Sequence, residues 1–211
     1  SDRAVLIDYG YGDSLEAIWE PVARRQYKRL DGMTPMTPML SAADSGWNTK
    51  NTYDFCNLHT GILACKGEGE MGGRPFKLAE LDRGDYEGQL LFGVNTDYWE
   101  TDLQARLDER LPGEDGSLTL CLEASHDNDF LTELCNGTLA DKFDARGNAK
   151  LFWEKKDENS PNDFRDAIRY GLALGQLITE NGGAPDIAPA QVIQEQRYET
   201  FVRSPSSEGT A

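Results

Sequence analysis

The sequence predicts an α/β domain in which helices flank a mixed sheet. Short apolar runs typical of strands alternate with segments whose apolar residues recur every three or four positions, as they do in helices. One such run, residues 40–43, ends in Asp44, and the Ser-Gly turn that follows leads into a helical segment. Because open α/β sheets place their chemistry at the carboxyl ends of inner strands, Asp44 is the first candidate for a functional residue.

Length and charge narrow the class further. A chain of 211 residues suits one well-buried domain, which we place at residues 1–180, followed by a flexible acidic tail at residues 181–211. The net charge is −16, and because the tail holds only four acids and two bases, nearly all of this charge belongs to the domain. An acidic domain argues against sequence-independent binding of nucleic-acid phosphates through a broad basic surface. It still permits a local site in which carboxylates hold a divalent metal ion.

The cysteines and the hydropathy indicate a reducing, cytosolic setting. Cys56, Cys65, Cys121 and Cys135 form no Cys-x-x-Cys pair, and the sequence shows no signal-like apolar run. No stretch is long and apolar enough to span a membrane, so no membrane partner is expected.

The first half of the chain alternates strands and helices. The predicted elements are a strand at residues 4–7, a helix capped by Ser14 and bent at Pro21, the strand that ends at Asp44, a helix opening at Asn48 or Thr49, and a strand at residues 61–67. The glycine-rich residues 67–73 are predicted to form a loop. They lack the lysine and serine of a P-loop at the required spacing, so the sequence does not predict a phosphate-binding loop there.

The second half continues the pattern and ends in a strong helix signal. The predicted elements are a strand at residues 90–94, a helix from Asn95 or Thr96 to the Pro112-Gly113 stop, a strand at residues 117–122, a helix from Asn128 or Asp129, a hairpin at residues 142–153, and a helix with Ser160 as cap and Pro161 in its first position. A short helix is expected at residues 191–201 of the tail.

Asp163 and Asp166 are the acids most able to join Asp44. They lie three positions apart on the helix predicted to begin at Ser160 and Pro161, so both can face the same way. If that helix packs near Asp44, the carboxylates converge, as two-metal phosphodiester hydrolysis requires of ions roughly 3.5–4 Å apart. The plainer alternatives are that Asp163 caps the helix, that Asp166 pairs with Arg169 on its surface, and that Asp44 only forms a turn.

Other polar residues are secondary candidates. Lys66 and Lys50 can meet a substrate phosphate, although a solvated lysine is the plainer explanation of Lys66. The segment His126-Asp127-Asn128-Asp129 has metal-ligating side chains, but loop polarity explains it equally well. Asp8 follows a strand-like run, where a turn-forming aspartate is common. No Ser-His-Asp or Cys-His arrangement stands out.

Several short motifs then point to a family by their shared order and spacing. They are Leu6-Ile7-Asp8, Asp44-Ser45-Gly46 followed by Thr49 and Tyr53, Cys65-Lys66-Gly67, Phe92-Gly93-Val94-Asn95-Thr96, and Trp153 with residues 162–173. In this order they resemble the nuclease half of the large terminase subunit of tailed phages, the lambda-type packaging family.

The resemblance implies an RNase H-like fold and cutting of concatemeric viral DNA that depends on Mg²⁺ or Mn²⁺. Asp44 falls on the family's central-strand carboxylate and Asp166 on its carboxyl-terminal helix carboxylate, while Asp163 replaces a neighbouring glutamate. The implied partners are double-stranded DNA, the small terminase subunit, the portal and an ATPase motor domain of the same polypeptide. The implied setting is the cytoplasm of the host cell.

One departure from the family keeps two alternatives open. The family's first catalytic aspartate lies on a strand that precedes the Leu-Ile-Asp segment, and that strand would come before residue 1. The chain is therefore expected to be a fragment or a diverged version that lacks a ligand, with no Walker motif. A non-catalytic module that docks on portal, capsid or motor domain is the first alternative. A related resolvase that prefers branched DNA is the second.

Overall fold

The computed structural model describes residues 3–28, 34–69, 71–82, 84–108, 111, 114–143 and 149–185. The strands are β1 (Ala4–Val5), β2 (Ser41–Asp44), β3 (Ile62–Glu68), β4 (Phe76–Glu80), β5 (Leu90–Asn95), β6 (Leu118–Thr119), β7 (Thr138–Phe143) and β8 (Ala149–Glu154). The helices are α1 (Leu15–Ala23), α2 (Thr49–Leu58), α3 (Thr96–Asp108), α4 (Leu122–His126), α5 (Asn128–Leu134) and α6 (Asp163–Glu180). The predicted short tail helix lies outside the described residues.

A four-stranded mixed sheet forms the centre of the fold, with strand order β2-β3-β5-β4. The first three strands are parallel, and β4 runs antiparallel to β5. This mixed α/β arrangement confirms the predicted fold class and fits an RNase H-like fold. Among the described residues β2 is an outer strand, so the expectation that Asp44 ends an inner strand is wrong.

Each face of the sheet is covered by helices. Side chains on one face pack against α2, and those on the other face pack against α3 and α6. The α2 side buries Ala43, Tyr53, Phe55, Cys56, Ile62 and Ala64. The α6 side buries Leu63, Cys65, Phe92, Val94, Trp99, Tyr170, Ala173, Leu174 and Leu177. Because side chains alternate along a strand, Asp44 points to the same face as Ala42, which packs on the α6 side.

A third apolar cluster lies under α5 and the start of α6. It contains Leu103, Ala124, Phe130, Leu134 and Phe164. The ring of Tyr9 contacts Phe130 and Phe164, with centroids 4.8 and 5.5 Å apart. The amino-terminal segment is therefore tied to this cluster, and β1 pairs in parallel with β6 beside it.

The short amino-terminal and middle strands differ from their predicted lengths. The strand expected at residues 4–7 is limited to Ala4–Val5, and the strand expected at residues 117–122 is limited to Leu118–Thr119. The second strand stops early because Leu122 already begins α4. The hairpin predicted at residues 142–153 is present as the antiparallel pair β7 and β8.

The start of α6 is two residues later than predicted. Asn162 is its N-cap, so Ser160 does not cap it and Pro161 is not its first residue. The hydroxyl of Ser160 instead donates to the carboxylate of Asp157 at 2.7 Å. The side-chain amide of Asn136 donates to the carbonyls of Ser160 and Pro161, at 3.1 and 3.3 Å. These bonds hold the segment as a turn before the helix begins.

The carboxylate of Asp127 serves the fold. Its Oδ1 accepts the amides of Asp129 and Phe130, at 2.9 and 3.1 Å, and so caps α5. Its Oδ2 accepts the hydroxyl of Tyr9 at 2.8 Å. The amide of Phe130 is the main cause that lowers the pKa of Asp127. The acidic segment around His126 is therefore explained by capping. None of the described helices has the length and apolar content needed to cross a membrane.

Candidate active site

A cavity of about 470 Å³ lies between β2 and α6. It is lined by Ser41, Ala42, Asp44, Asp163, Asp166, Ala167, Tyr170, Gly171 and Leu174. Three of these side chains are carboxylates, one from the end of β2 and two from the first turn of α6. The packing of α6 against the sheet thus brings together the three acids that the sequence singled out.

Asp44 is exposed but its backbone is firmly held. Its carbonyl accepts the hydroxyl of Thr52 at 3.1 Å, and its Oδ1 accepts the amide of Gly46 at 2.9 Å. The next residue, Ser45, donates both its amide and its hydroxyl to the carbonyl of Cys65, each at 2.8 Å. The turn-forming role of Asp44 is therefore real, and it leaves the carboxylate at the mouth of the cavity.

Asp166 is more enclosed, and its Oδ1 contacts two polar side chains. Oδ1 accepts the side-chain amide of Asn162 at 3.0 Å and forms an ion pair with a guanidinium nitrogen of Arg169, also at 3.0 Å. Burial is the main cause that raises the pKa of Asp166, and the charges of Glu100, Asp44 and Asp163 add to it, while Arg169 opposes it. Asp44 and Asp166 are thus close enough for one charge to act on the other.

Asp163 is the first residue of α6 and is exposed. The plainer expectation that it caps the helix is wrong, because the N-cap is Asn162. Asp163 lines the cavity, and its charge is among those that raise the pKa of Asp166. Asp163 therefore shares the cavity with Asp44 and Asp166, although these three acids, all in the described part of the chain, are not close enough together to form a metal-binding cluster.

Behind Asp166 lies a buried ion network that sequence reasoning missed. Arg169 donates to Oε1 of Glu100 on α3, and the Nε of Arg165 donates to Oε2 of the same carboxylate at 2.7 Å. Arg165 also donates to the carbonyl of Leu134 at 2.6 Å. Glu100, Arg165 and Arg169 are 5%, 1% and 5% exposed. The pair of Asp166 with Arg169 is therefore anchored in the interior and is not the surface pair that spacing alone suggested.

The two lysines proposed for phosphate contact do not line the cavity. Asp44 is opposite Cys65 in the strand register, and Cys65 packs on the α6 side. Strand alternation therefore directs Lys66 toward the other face of the sheet. Lys50 lies on α2, where its ammonium group pairs with Asp54 at 2.5 Å. Their contact with substrate stays a prediction. Asp8 pairs with Arg25, away from this cavity.

The donor set suits a hard divalent cation. No three His, Cys, Asp or Glu side chains within the described ranges are gathered closely enough to hold a metal ion by themselves. Mg²⁺, however, is usually held by one or two carboxylates and completes its shell with water and substrate oxygens. Burial is the main cause of the raised pKa of Asp166, and the nearby acids Glu100, Asp44 and Asp163 add to it. A cation bound beside Asp166 would favour its charged form. Asp44 and Asp166 therefore fit the minimum that such an ion needs.

A mixed α/β sheet with acids meeting at a strand end and on a packed carboxyl-terminal helix fits the RNase H-like class. The family model described as the terminase large subunit gpA, endonuclease domain, matches residues 12–183. The chain therefore belongs to this family, which is the nuclease part of a DNA-packaging enzyme. No curated protein and no solved structure matches the chain.

Proposed function

We propose that this chain is a DNA endonuclease module of a phage packaging terminase that depends on Mg²⁺ or Mn²⁺. It would cut concatemeric viral DNA by two-metal phosphodiester hydrolysis. The observation that carries the proposal is the cavity between β2 and α6, which three carboxylates line in a chain of a nuclease family.

The roles of the acids follow from their surroundings. Asp44 offers a carboxylate at a strand end whose backbone is fixed. Asp166 offers Oδ2, since Oδ1 already accepts the amide of Asn162 and pairs with Arg169. Asp163 supports them from the edge of the cavity. Bound divalent ions would supply Lewis-acid stabilisation of the phosphate and activation of water. The protein's own part is to fix the ligands and to place the scissile phosphate between β2 and α6.

The proposed partners follow from the family. Double-stranded DNA is the proposed substrate. The small terminase subunit, the portal and an ATPase motor domain are proposed partners, and the cytoplasm of the host cell is the proposed setting. Because the chain carries a net charge of −16, DNA is expected to be held by local contacts near the site, with a shallow dependence of affinity on salt.

Calorimetric titration with Mn²⁺ tests the proposal directly. We expect saturable binding by the wild-type chain and at least about a ten-fold weaker affinity in Asp166→Asn, because the amide removes a charged oxygen ligand. Asp129→Asn is the matched control, since Asp129 is an exposed acid in the first turn of α5. It should bind Mn²⁺ as the wild type does. Absence of saturable heat with the wild type would favour the docking module.

A further inference from the structure

Trp47 is the most exposed large hydrophobic side chain among the described residues, at 95%. It lies three positions after Asp44, in the turn that joins β2 to α2. A tryptophan normally buries 150–250 Å² on folding and so contributes strongly to a core or an interface. Trp47 contributes almost none of its surface to this fold, so a tryptophan in the turn directly after the cavity-lining Asp44 calls for a role outside the core.

The usual structural role of an apolar residue at this position is absent. Trp47 precedes the N-cap Asn48, and an apolar residue there often packs against the fourth residue of the helix. That fourth residue is Thr52, which is buried and donates its hydroxyl to the carbonyl of Asp44. Since Trp47 is solvent-exposed, it does not form this contact, and helix stability does not explain it.

The turn that presents Trp47 is held on both sides. Before it, Ser45 is bonded twice to the carbonyl of Cys65, and the amide of Gly46 is bonded to Asp44. After it, the hydroxyl of Thr49 donates to the carbonyl of Ser45 at 2.7 Å. These bonds cross the turn and tie it to β3. The backbone that carries the aromatic ring is therefore held in a fixed position relative to Asp44.

The charge of the protein indicates what this ring contacts. With a net charge of −16, the chain needs attraction to DNA that does not depend on phosphate charge. Stacking of a base on an exposed aromatic ring provides it, because every base has a π-face. A base inside a paired duplex is already stacked on its neighbours, so the base in question must be unstacked.

We propose that Trp47 stacks on an unstacked nucleobase of the DNA strand whose phosphate enters the cavity between β2 and α6. This inference rests on the proposed function and adds to it a substrate class, which is DNA with a locally opened or single-stranded base next to the cut. Trp47 is then a binding residue and takes no part in the chemistry at the phosphate.

Binding of a labelled duplex with a short single-stranded tail tests the proposal, measured by fluorescence anisotropy with Ca²⁺ in place of Mn²⁺. We expect Trp47→Ala to raise Kd for this DNA by about five-fold or more, and Trp47→Phe to keep most of the affinity. Leu58→Ala, at the exposed far end of α2, is the matched control and should bind as the wild type does. DNA should also shield wild-type tryptophan emission from iodide, and this shielding should be lost in Trp47→Ala.

Cleavage kinetics give a second readout. With Mn²⁺, Trp47→Ala should raise KM for the tailed duplex and leave kcat within about two-fold, because only binding is lost. Wild-type affinity in Trp47→Ala, or no detectable binding of the tailed duplex by the wild type, would overturn the inference. The proposed nuclease function fails by a different result, namely absence of Mn²⁺-dependent nicking by the wild type. The failure of the stacking inference can therefore be told apart from the failure of the proposed function.

Discussion

Asp44→Asn is expected to reduce Mn²⁺-dependent nicking of supercoiled plasmid DNA by at least on the order of 10²-fold. The change keeps the size of the side chain and removes the charge that a divalent ion requires. The side-chain oxygen of the introduced asparagine can still accept the bond from the Gly46 amide, and the bond from the Thr52 hydroxyl goes to the backbone carbonyl of residue 44. The loss of activity should therefore come without a loss of folding, which circular dichroism and the melting temperature would show.

The control for this result is Asp129→Asn, which removes an exposed acid on α5 and leaves the cavity intact. It should nick plasmid at the wild-type rate. Asp166→Asn should be as inactive as Asp44→Asn, since both acids line the same cavity. Nicking by Asp44→Asn at the wild-type rate would remove the assignment of Asp44, whatever the other variants do.

Glu100→Gln is expected to lower the free energy of unfolding by about 3–5 kcal/mol. Glu100 is 5% exposed and accepts from both Arg165 and Arg169, which are also buried. Removing its charge leaves two guanidinium groups in the interior without their shared partner. Urea unfolding followed by circular dichroism measures the loss.

Glu20→Gln is the matched control for the buried network. Glu20 also pairs with an arginine, Arg24, but on the surface of α1, where the two side chains are 71% and 81% exposed. Surface pairs of this kind contribute roughly 0.2–1 kcal/mol at most. If Glu100→Gln lost no more stability than Glu20→Gln, the network would not couple α3 to α6 as described.

Elements with local signals were predicted well from the sequence. Helix α1 begins after Ser14, whose hydroxyl accepts the amide of Ala17 at 3.1 Å, as the capping pattern indicates. Strand β2 ends at Asp44 and α2 begins after Asn48, as the apolar run and the cap residue suggest. In each case the residues that define the boundary are neighbours in sequence, so the pattern carries the information.

Elements that depend on distant partners were missed. Strand β4 is mostly exposed and forms through its antiparallel pairing with β5. The residues of β4 alone show no pattern that predicts this pairing. The predicted Ser160 cap failed because Asp157 and Asn136 compete for the polar groups of that segment. The capping pattern depends only on neighbouring residues, so it does not predict the bonds that Ser160 forms with Asp157 and Asn136.

The candidate site shows the same division. The shared face of Asp163 and Asp166 follows from helical spacing, but their approach to Asp44 depends on how α6 packs on the sheet. Glu100 escaped notice because its partners lie 65 and 69 positions away. Its one local signal is a charged residue between Trp99 and Leu103, the buried apolar residues of α3. The direction of Lys66 required the register of Asp44 with Cys65, which sequence does not provide.

The central claim is that Asp44 and Asp166 share a divalent ion although they are more than a hundred positions apart in the chain. A crystal structure of the protein soaked in Mn²⁺, with anomalous difference density recorded, tests it most directly. We predict an anomalous peak in the cavity between β2 and α6, at roughly 2.0–2.3 Å from a carboxylate oxygen of each residue. A cavity without such a peak at saturating Mn²⁺, or a peak bound only by other side chains, would contradict the claim.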